Sequence, residues 1–304
     1  MKILVTGVNG QLGHDVMNEL NKRGHKGIGS GSGDAYKGVQ DGSPVCTMPY
    51  VKLNITDSSA VNSIILDLKP DAVIHCAAWT NVDAAEDPEN LEKVRATNVT
   101  GTQNIAEACA SINAKMLYIS TDYVFSGTGE EPWKPDCKKF APLNVYGQSK
   151  LDGEFTVLNS LEKYFIVRIA WAFGLNGKNF IKTMLSVGKT HPEVRVVNDQ
   201  IGTPTYTLDL ARLLVDMIET DHYGFYNATN EGGYISWYDF CCEIYRQAGL
   251  TTGVIPVTTA EYGLSKAKRP FNSRLDKSKL VECGFEPLPT WQDALARYLK
   301  EIEF

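Results

Sequence analysis

At 304 residues, 43% hydrophobic and 22% charged, the chain has an ordinary globular composition with room for one large domain and a smaller one. A formal net charge of −6, an isoelectric point near 5.5 and no lysine-arginine run leave no electrostatic footprint for nucleic acid or an anionic membrane surface. No run of about eighteen apolar residues occurs, and MKILVTG puts no charged region ahead of a long apolar stretch, so no membrane span is expected and cytoplasmic residence is.

In chain order, KILVTG (2 to 7) reads as a buried first strand, followed by a helix from about Gln11 to Arg23 with Leu12, Val16 and Leu20 on one face. A short strand ends near Ser30, GIGSGSGDAYKGVQDGS (27 to 43) reads as a mobile loop, and a strand lies around Tyr50 to Asn54. Then come a helix over 57–68, the strand DAVIHCAA (71 to 78), a long helix after Pro88, the strand KMLYIST (115 to 121), a helix over 144–161 and the strand YFIVRIAW (164 to 171). Repeated strand-helix-strand traffic of this kind gives an α/β fold, a Rossmann-type doubly wound parallel sheet with helices on both faces. Beyond Trp171 the rhythm loosens into helices near 179–189, 208–219, 237–248 and 291–302. The expected division is a dinucleotide-binding domain over 1–171 and a smaller, mostly helical substrate lobe over 172–304, with the chain free to cross back to the sheet.

Seven cysteines, at 46, 76, 109, 137, 241, 242 and 283, show no C-x-x-C spacing, and neither they nor the five histidines have zinc-ligand spacing. They read as reduced thiols, mostly core filler.

The first chemical signal is Gly7-Val-Asn-Gly10-Gln-Leu-Gly13, between an apolar strand and a helix. Glycines there permit a tight turn, close approach of a pyrophosphate to bare backbone, and close helix-strand packing, while the helix start offers unpaired N–H groups to phosphates. The second strand ends Ile28-Gly29-Ser30-Gly31-Ser32, with no carboxylate to repel a 2′-phosphate. NADPH is therefore favoured, with NADH the alternative; Lys37 is the cation close by.

The second signal is Tyr146-Gly-Gln-Ser-Lys150. Four residues apart on a helix, phenol and ammonium share a face, and the cation is expected to favour the phenolate and lower the tyrosine's pKa. Tyr262-Gly-Leu-Ser-Lys266 has the same spacing but no strand-end hydroxyl at a matching distance upstream. For Tyr146 that hydroxyl exists: KMLYIST delivers Ser120 and Thr121 to the carboxyl end of the sheet, where doubly wound folds bind ligands. Thr121, Tyr146 and Lys150 form the expected carbonyl-polarising set.

With these residues in place, the chain resembles an extended short-chain dehydrogenase/reductase and, more narrowly, the dTDP-4-dehydrorhamnose reductase family, through GVNGQLG (7 to 13), AAWTNVDAAE (77 to 86), ATNVTGT (96 to 102), STDYVFSG (120 to 127), PLNVYGQSK (142 to 150), NDQIGTPT (198 to 205) and RPFNSRL (269 to 275). The resemblance implies a sugar-nucleotide substrate and reduction of its C4 ketone. It places Gly10, Gln11 and Leu12 at the pyrophosphate, Ser30, Asn54 and Ile55 on the adenosine side, and Cys76, Ala77 and Ala78 at the middle of the cofactor. Thr121 and Asp122 would meet the sugar and Trp171 would pack on its ring, against the competing reading of a strand-end core aromatic. Asn179, Gln200, Thr205, Arg269 and Asn272 match positions expected around the sugar nucleotide, with a solvated surface cation the competing reading for Arg269. Members often carry Asp where this chain has Ser30, and Asp-Phe where it has Asn54-Ile55. Some dimerise through magnesium; the corresponding positions read Asp15 and Leu208, which weakens the case for Mg2+ and leaves monomer and homodimer both open. Two other functions share these motifs: a regulatory NADP-binding subunit resembling that of methionine adenosyltransferase, and a nucleotide-sugar epimerase. The residue after Asp122 is Tyr123, so the acid-base pair that a sugar-nucleotide dehydratase needs is missing and reduction is favoured.

Overall fold

Seven strands, all parallel, form the central sheet of the computed structural model, which describes residues 1–304. They are β1 (Lys2–Thr6), β2 (Lys26–Gly31), β3 (Tyr50–Lys52), β4 (Ala72–His75), β5 (Lys115–Thr121), β6 (Tyr164–Ile169) and the edge strand Gly224–Asn227. The spatial order is β3, β2, β1, β4, β5, β6, edge strand. It reverses direction between β1 and β4, and the crevice beyond the carboxyl ends of those two strands is where such sheets bind ligands.

Strand alternation assigns the two faces. Ile3, Val5, Ala72, Ile74, Phe165 and Val167 point to one side, into a core shared with the helices Gln11–Lys22 and Thr207–Ile218. Leu4, Val73 and Ile166 point to the other, against the helices Ser58–Leu68, Gly101–Ser111 and Val145–Ser160. Both faces are dry, which is why these strands read as nearly continuous apolar runs.

Part of the chain after Trp171 returns to the sheet. Helix Thr207–Ile218 covers the sheet and Gly224–Asn227 extends it beside β6, in the register Phe225 to Ile166 and Tyr226 to Val167. The remainder builds the second lobe around Phe173, Tyr206, Phe240, Trp291 and Tyr298. Its helices are joined by three short strand pairs: Ala172–Phe173 with Thr205–Tyr206, Ile201–Gly202 with Ile235–Ser236, and Glu193–Val197 with Gly253–Val257.

Inside the sheet-helix layer lies a fully buried ion pair. Arg168 of β6 donates from Nε and Nη2 to Glu154 at 2.8 and 2.7 Å, and Ser120 Oγ of β5 donates to the same carboxylate at 2.5 Å. The guanidinium also donates to the Pro135 carbonyl and sits against the rings of Phe125, Phe140 and Phe225. Charges so placed hold together only when fully partnered, and here they pin the helix Val145–Ser160 to two strands.

The segment after β2 is well tied in this structure, where its composition suggested a mobile loop. Tyr36 hydroxyl meets His14 Nδ1 at 2.5 Å and accepts from Asn176, Val39 N donates to Asn176, and Lys37 N donates to Asn9.

Candidate active site

The glycine turn performs three separate steric tasks. Gly7 has φ +71, and a Cβ there would lie 2.7 Å from Ala77 N, so the turn abuts the chain leaving β4. A Cβ on Gly13 would lie 2.5 Å from the Gly7 carbonyl oxygen, so the helix packs directly on the turn. A Cβ on Gly10 would meet only the Gly7 oxygen, at 3.2 Å, with the remaining space open toward the cleft. Helices beginning at Ser58, Val145, Phe180, Trp237 and Trp291 are capped by Asp57, Asn144, Asn179, Ser236 and Thr290. The helix beginning at Gln11 has no side-chain cap and no acid in its first turn, which leaves its first N–H groups for an anion. Gly13→Ala is expected to lower stability by about 1–3 kcal/mol through overpacking against backbone. Gly10→Ala should change stability by less than about 1 kcal/mol yet weaken dinucleotide binding at least tenfold; urea melts and cofactor titration separate the two.

From this turn a cleft of about 820 Å³ runs along the carboxyl ends of the strands. All the residues expected to meet a dinucleotide line it: Gly7, Gly10, Gln11, Leu12, Gly13, Ser30, Asn54, Ile55, Cys76, Ala77, Ala78, Tyr146 and Lys150. The Ser30 hydroxyl itself is turned into the sheet, donating to Val5 O, so it offers no group to a ribose. Asp34, the first carboxylate beyond β2, is paired with Lys52 at 2.7 Å on the surface, which holds it below the usual carboxylate range. Strand β4 ends at His75, and Cys76, Ala77 and Ala78 leave the sheet to form the cleft wall. The Thr6 hydroxyl fixes that exit by accepting from Ala77 N, and the buried His75 ring meets Thr6 and Thr102 at 2.8 and 3.2 Å. Burial pushes the Cys76 thiol up to about 12, which disfavours its thiolate.

At the far end β5 delivers Thr121 and Asp122, and the helix Val145–Ser160, capped by Asn144, delivers Tyr146 and Lys150. The Thr121 hydroxyl donates to Asp122 Oδ1 at 3.1 Å and accepts from Tyr123 N, and it lowers the pKa of the Tyr146 phenol. Tyr123 packs edge-on against Tyr146, with ring centroids 5.7 Å apart. The Lys150 ammonium stands 4.1 Å over the ring of Tyr118. Asp122 is 2% exposed, its Oδ2 has no hydrogen-bond partner, and burial raises its pKa to about 7.

The i, i+4 spacing led to the expectation of a tyrosine lowered by its lysine, and the structure differs. Burial, the largest influence on both, raises Tyr146 above 10 despite the lowering influence of the Thr121 hydroxyl and lowers Lys150 to about 7 despite the charge of Glu154. Desolvation penalises every charged form here, so the phenol holds its proton firmly while the ammonium keeps its own only up to about neutrality.

Asn98 stands in ATNVTGT without a local signal of its role. It lies fully buried in a π-helical turn, Ala96–Thr100, an irregularity often found at functional sites. Its side chain accepts from Trp79 N and donates to Trp79 O and Ser149 Oγ, and Ser149 donates to Tyr146 O. The segment at Trp79 and the helix Val145–Ser160 are thus clamped together. Trp237, Asn176 and Thr207 also line the cleft without having been singled out.

Trp171 lines the cleft, but the other expected substrate residues of the second lobe do not. Asn179 caps its helix and donates to Gln11, Gly174 and Tyr298. Gln200 donates to Thr259, and Thr205 donates to Ala170 O. Asn272 donates to the Glu131 carbonyl. Arg269 is no free surface cation: it holds Asp83 with two bonds of 3.0 and 2.7 Å, beside Tyr123. Of the second Tyr-x-x-x-Lys, Tyr262 is exposed and Lys266 pairs with Asp87.

Asp15 and Leu208 do not fit a magnesium ion. Leu208 is exposed and offers no oxygen, Asp15 is 2% exposed, and no group of three His, Cys, Asp or Glu side chains gathers as a metal would need. Thr207 Oγ1 lies 2.5 Å from Asp15 Oδ2 and 3.1 Å from the Phe173 carbonyl, two acceptors sharing one hydroxyl proton. A protonated Asp15 satisfies both, and burial accordingly raises its pKa to about 8. The folded state therefore keeps a proton that the unfolded chain loses near pH 4, and stability falls as pH rises from there to about 8. Asp15→Asn, which retains a donor for Thr207, should gain about 1 kcal/mol or more over the parent at pH 8.5 and little at pH 4; urea melts at both values check it.

The RmlD substrate binding domain family model matches residues 1–304. A dTDP-4-dehydrorhamnose reductase of Aggregatibacter actinomycetemcomitans is 38% identical, over 97% of each chain. Two crystal structures of proteins so named superpose on the chain with TM-scores of 0.87. One, from Clostridium acetobutylicum, is 38% identical over the whole of both chains. The other, from Bacillus anthracis in complex with NADP, is 37% identical over 99% of this chain and all of its own.

Proposed function

The chain belongs to the dTDP-4-dehydrorhamnose reductase family, and on that premise we propose that it reduces the C4 ketone of dTDP-4-dehydro-L-rhamnose to dTDP-L-rhamnose with NADPH or NADH. The observation that carries the reading is that Thr121, Tyr146 and Lys150 line the same cleft as the glycine turn.

The cradle suits a dinucleotide. The open face of Gly10 and the uncapped helix start would take the pyrophosphate, and the chain at Cys76–Ala78 would flank its middle. When bound, the reduced nicotinamide supplies the hydride. The protein's part is to hold the ketone against Thr121 and Tyr146. Tyr146, kept protonated by burial, retains its proton until the developing alkoxide becomes basic enough to take it. Thr121 orders the phenol and the ketone oxygen together. Lys150 favours the phenolate left behind and, with its pKa near 7, can return a proton to it at neutral pH. Thr121 and Asp122 would meet the sugar; the unpartnered Asp122 Oδ2 suits a sugar hydroxyl donor.

All seven cysteines are free thiols, which suits a reducing compartment, and we place the enzyme in the cytoplasm. The test generates the ketone substrate enzymatically, adds the protein with NADPH or NADH, and follows nicotinamide absorbance with NMR of the product. Rapid oxidation yielding dTDP-L-rhamnose is expected. Cofactor binding without oxidation would overturn the reductase reading in favour of a regulatory cofactor-binding subunit.

A further inference from the structure

Trp171 is one of four non-glycine residues with positive φ, at +51. Of the others, Lys69 is the C-cap of the helix Ser58–Leu68, Asn113 sits in a turn and Glu303 is next to the last residue, whereas Trp171 lies between β6 and Ala172–Phe173, at the cleft. A bulky residue held in the left-handed region needs its surroundings to keep it there. Two features of the second lobe do so. The Trp237 ring stacks on Trp171, with centroids 3.8 Å apart and planes 19° from parallel, and is itself backed by Phe180 at 4.6 Å. The Trp171 ring also rests on bare backbone, since a Cβ on Gly202 would lie 3.0 and 3.1 Å from its Cε2 and Cζ2.

Both supports come from one rigid bracket. Ile201–Gly202 pairs antiparallel with Ile235–Ser236, and Ser236 caps the helix that begins at Trp237 through reciprocal bonds with Asp239. Trp237 and Gly202 are thereby fixed relative to each other, and Trp171 is the side chain they hold.

We infer that Trp237 is a positioning residue: together with Gly202 it sets the Trp171 ring as the aromatic wall against which the apolar face of the substrate's sugar is aligned. The inference rests on the reductase reading for its kinetics but not for its spectroscopy. A stacked indole pair gives an exciton-split far-ultraviolet circular dichroism signal, readable on the protein alone. Trp237→Ala and Trp171→Phe should each abolish that signal. Trp237→Ala should raise KM for the sugar nucleotide about tenfold, with kcat changed less than about threefold and cofactor Kd within about twofold. Trp237→Phe, which restores a stacking ring, should bring KM back to within about threefold of the parent. Gly202→Ala, whose methyl would press on the Trp171 ring and on Ser273 Cβ with Trp237 intact, should diminish the exciton signal and raise KM likewise. An unaltered exciton signal in Trp237→Ala, an unchanged KM in both Ala variants, or equal losses in Trp237→Phe and Trp237→Ala would each overturn the inference. If the parent shows the exciton signal but reduces nothing, the failure belongs to the proposed reaction and not to the bracket.

Discussion

Replacing Tyr146 by Phe is expected to lower kcat by about 10²–10⁴-fold, the range for removing a positioned acid, while leaving cofactor Kd within about twofold. The phenol hydroxyl is the single atom lost. The edge-on packing against Tyr123 survives, because the ring stays, and so does the helix that presents Lys150. Thr121 keeps a partner in Asp122 Oδ1, so the substitution leaves no orphaned group in the wall. Single-turnover measurements at saturating NADPH isolate the chemical step. Activity within tenfold of the parent would remove Tyr146 as the acid and shift attention to Asp122, whose pKa near 7 makes it the other proton source in reach.

The second large effect concerns the buried pair behind the site. Arg168→Leu strands the Glu154 carboxylate with only Ser120 as a donor and should cost about 3–5 kcal/mol, enough to unfold much of the population of a typical domain at moderate urea. The double variant Arg168→Leu, Glu154→Leu should regain most of that loss, since a well-packed apolar pair avoids burying any charge. A loss below about 1 kcal/mol in the single variant, by urea melt at pH 7, would mean that water or a rearranged partner reaches Glu154. The pair also bears on catalysis. Ser120 precedes Thr121, and Glu154 lies one turn beyond Lys150 on the same helix, so the bond between Ser120 and Glu154 fixes the strand carrying the hydroxyl against the helix carrying the phenol.

The glycine turn, the hydroxyl at the end of β5 and the Tyr146-Lys150 face were legible in the sequence because each is local. Every one depends on a strand or helix whose period shows in a few consecutive residues. The edge strand Gly224–Asn227 was not legible: GFYN is four residues long, and only pairing with β6 makes it a strand. Trp237 was hidden for a related reason, since its stacking on Trp171 joins residues 66 positions apart through a strand pair of two residues each. Asn179, Gln200, Thr205, Arg269 and Asn272 matched family positions, yet motif spacing does not reveal a side chain's partners, and in this structure their hydrogen bonds go to the scaffold. The sign of the Tyr146 shift is not legible in the sequence, because spacing reveals a neighbour's charge but not the burial that outweighs it.

The return of residues 207–227 to the sheet has a consequence for how the polypeptide is made. As the chain emerges from the ribosome, β1 to β6 are complete by Ile169, but the helix that covers Val16 and Leu20 and the strand that borders β6 are still tens of residues from synthesis. Until they arrive, one apolar face of the nascent sheet is only half covered and its β6 border is an unpaired edge, the kind of surface that recruits chaperones or a second chain. A protein severed after Trp171 would keep that exposure permanently.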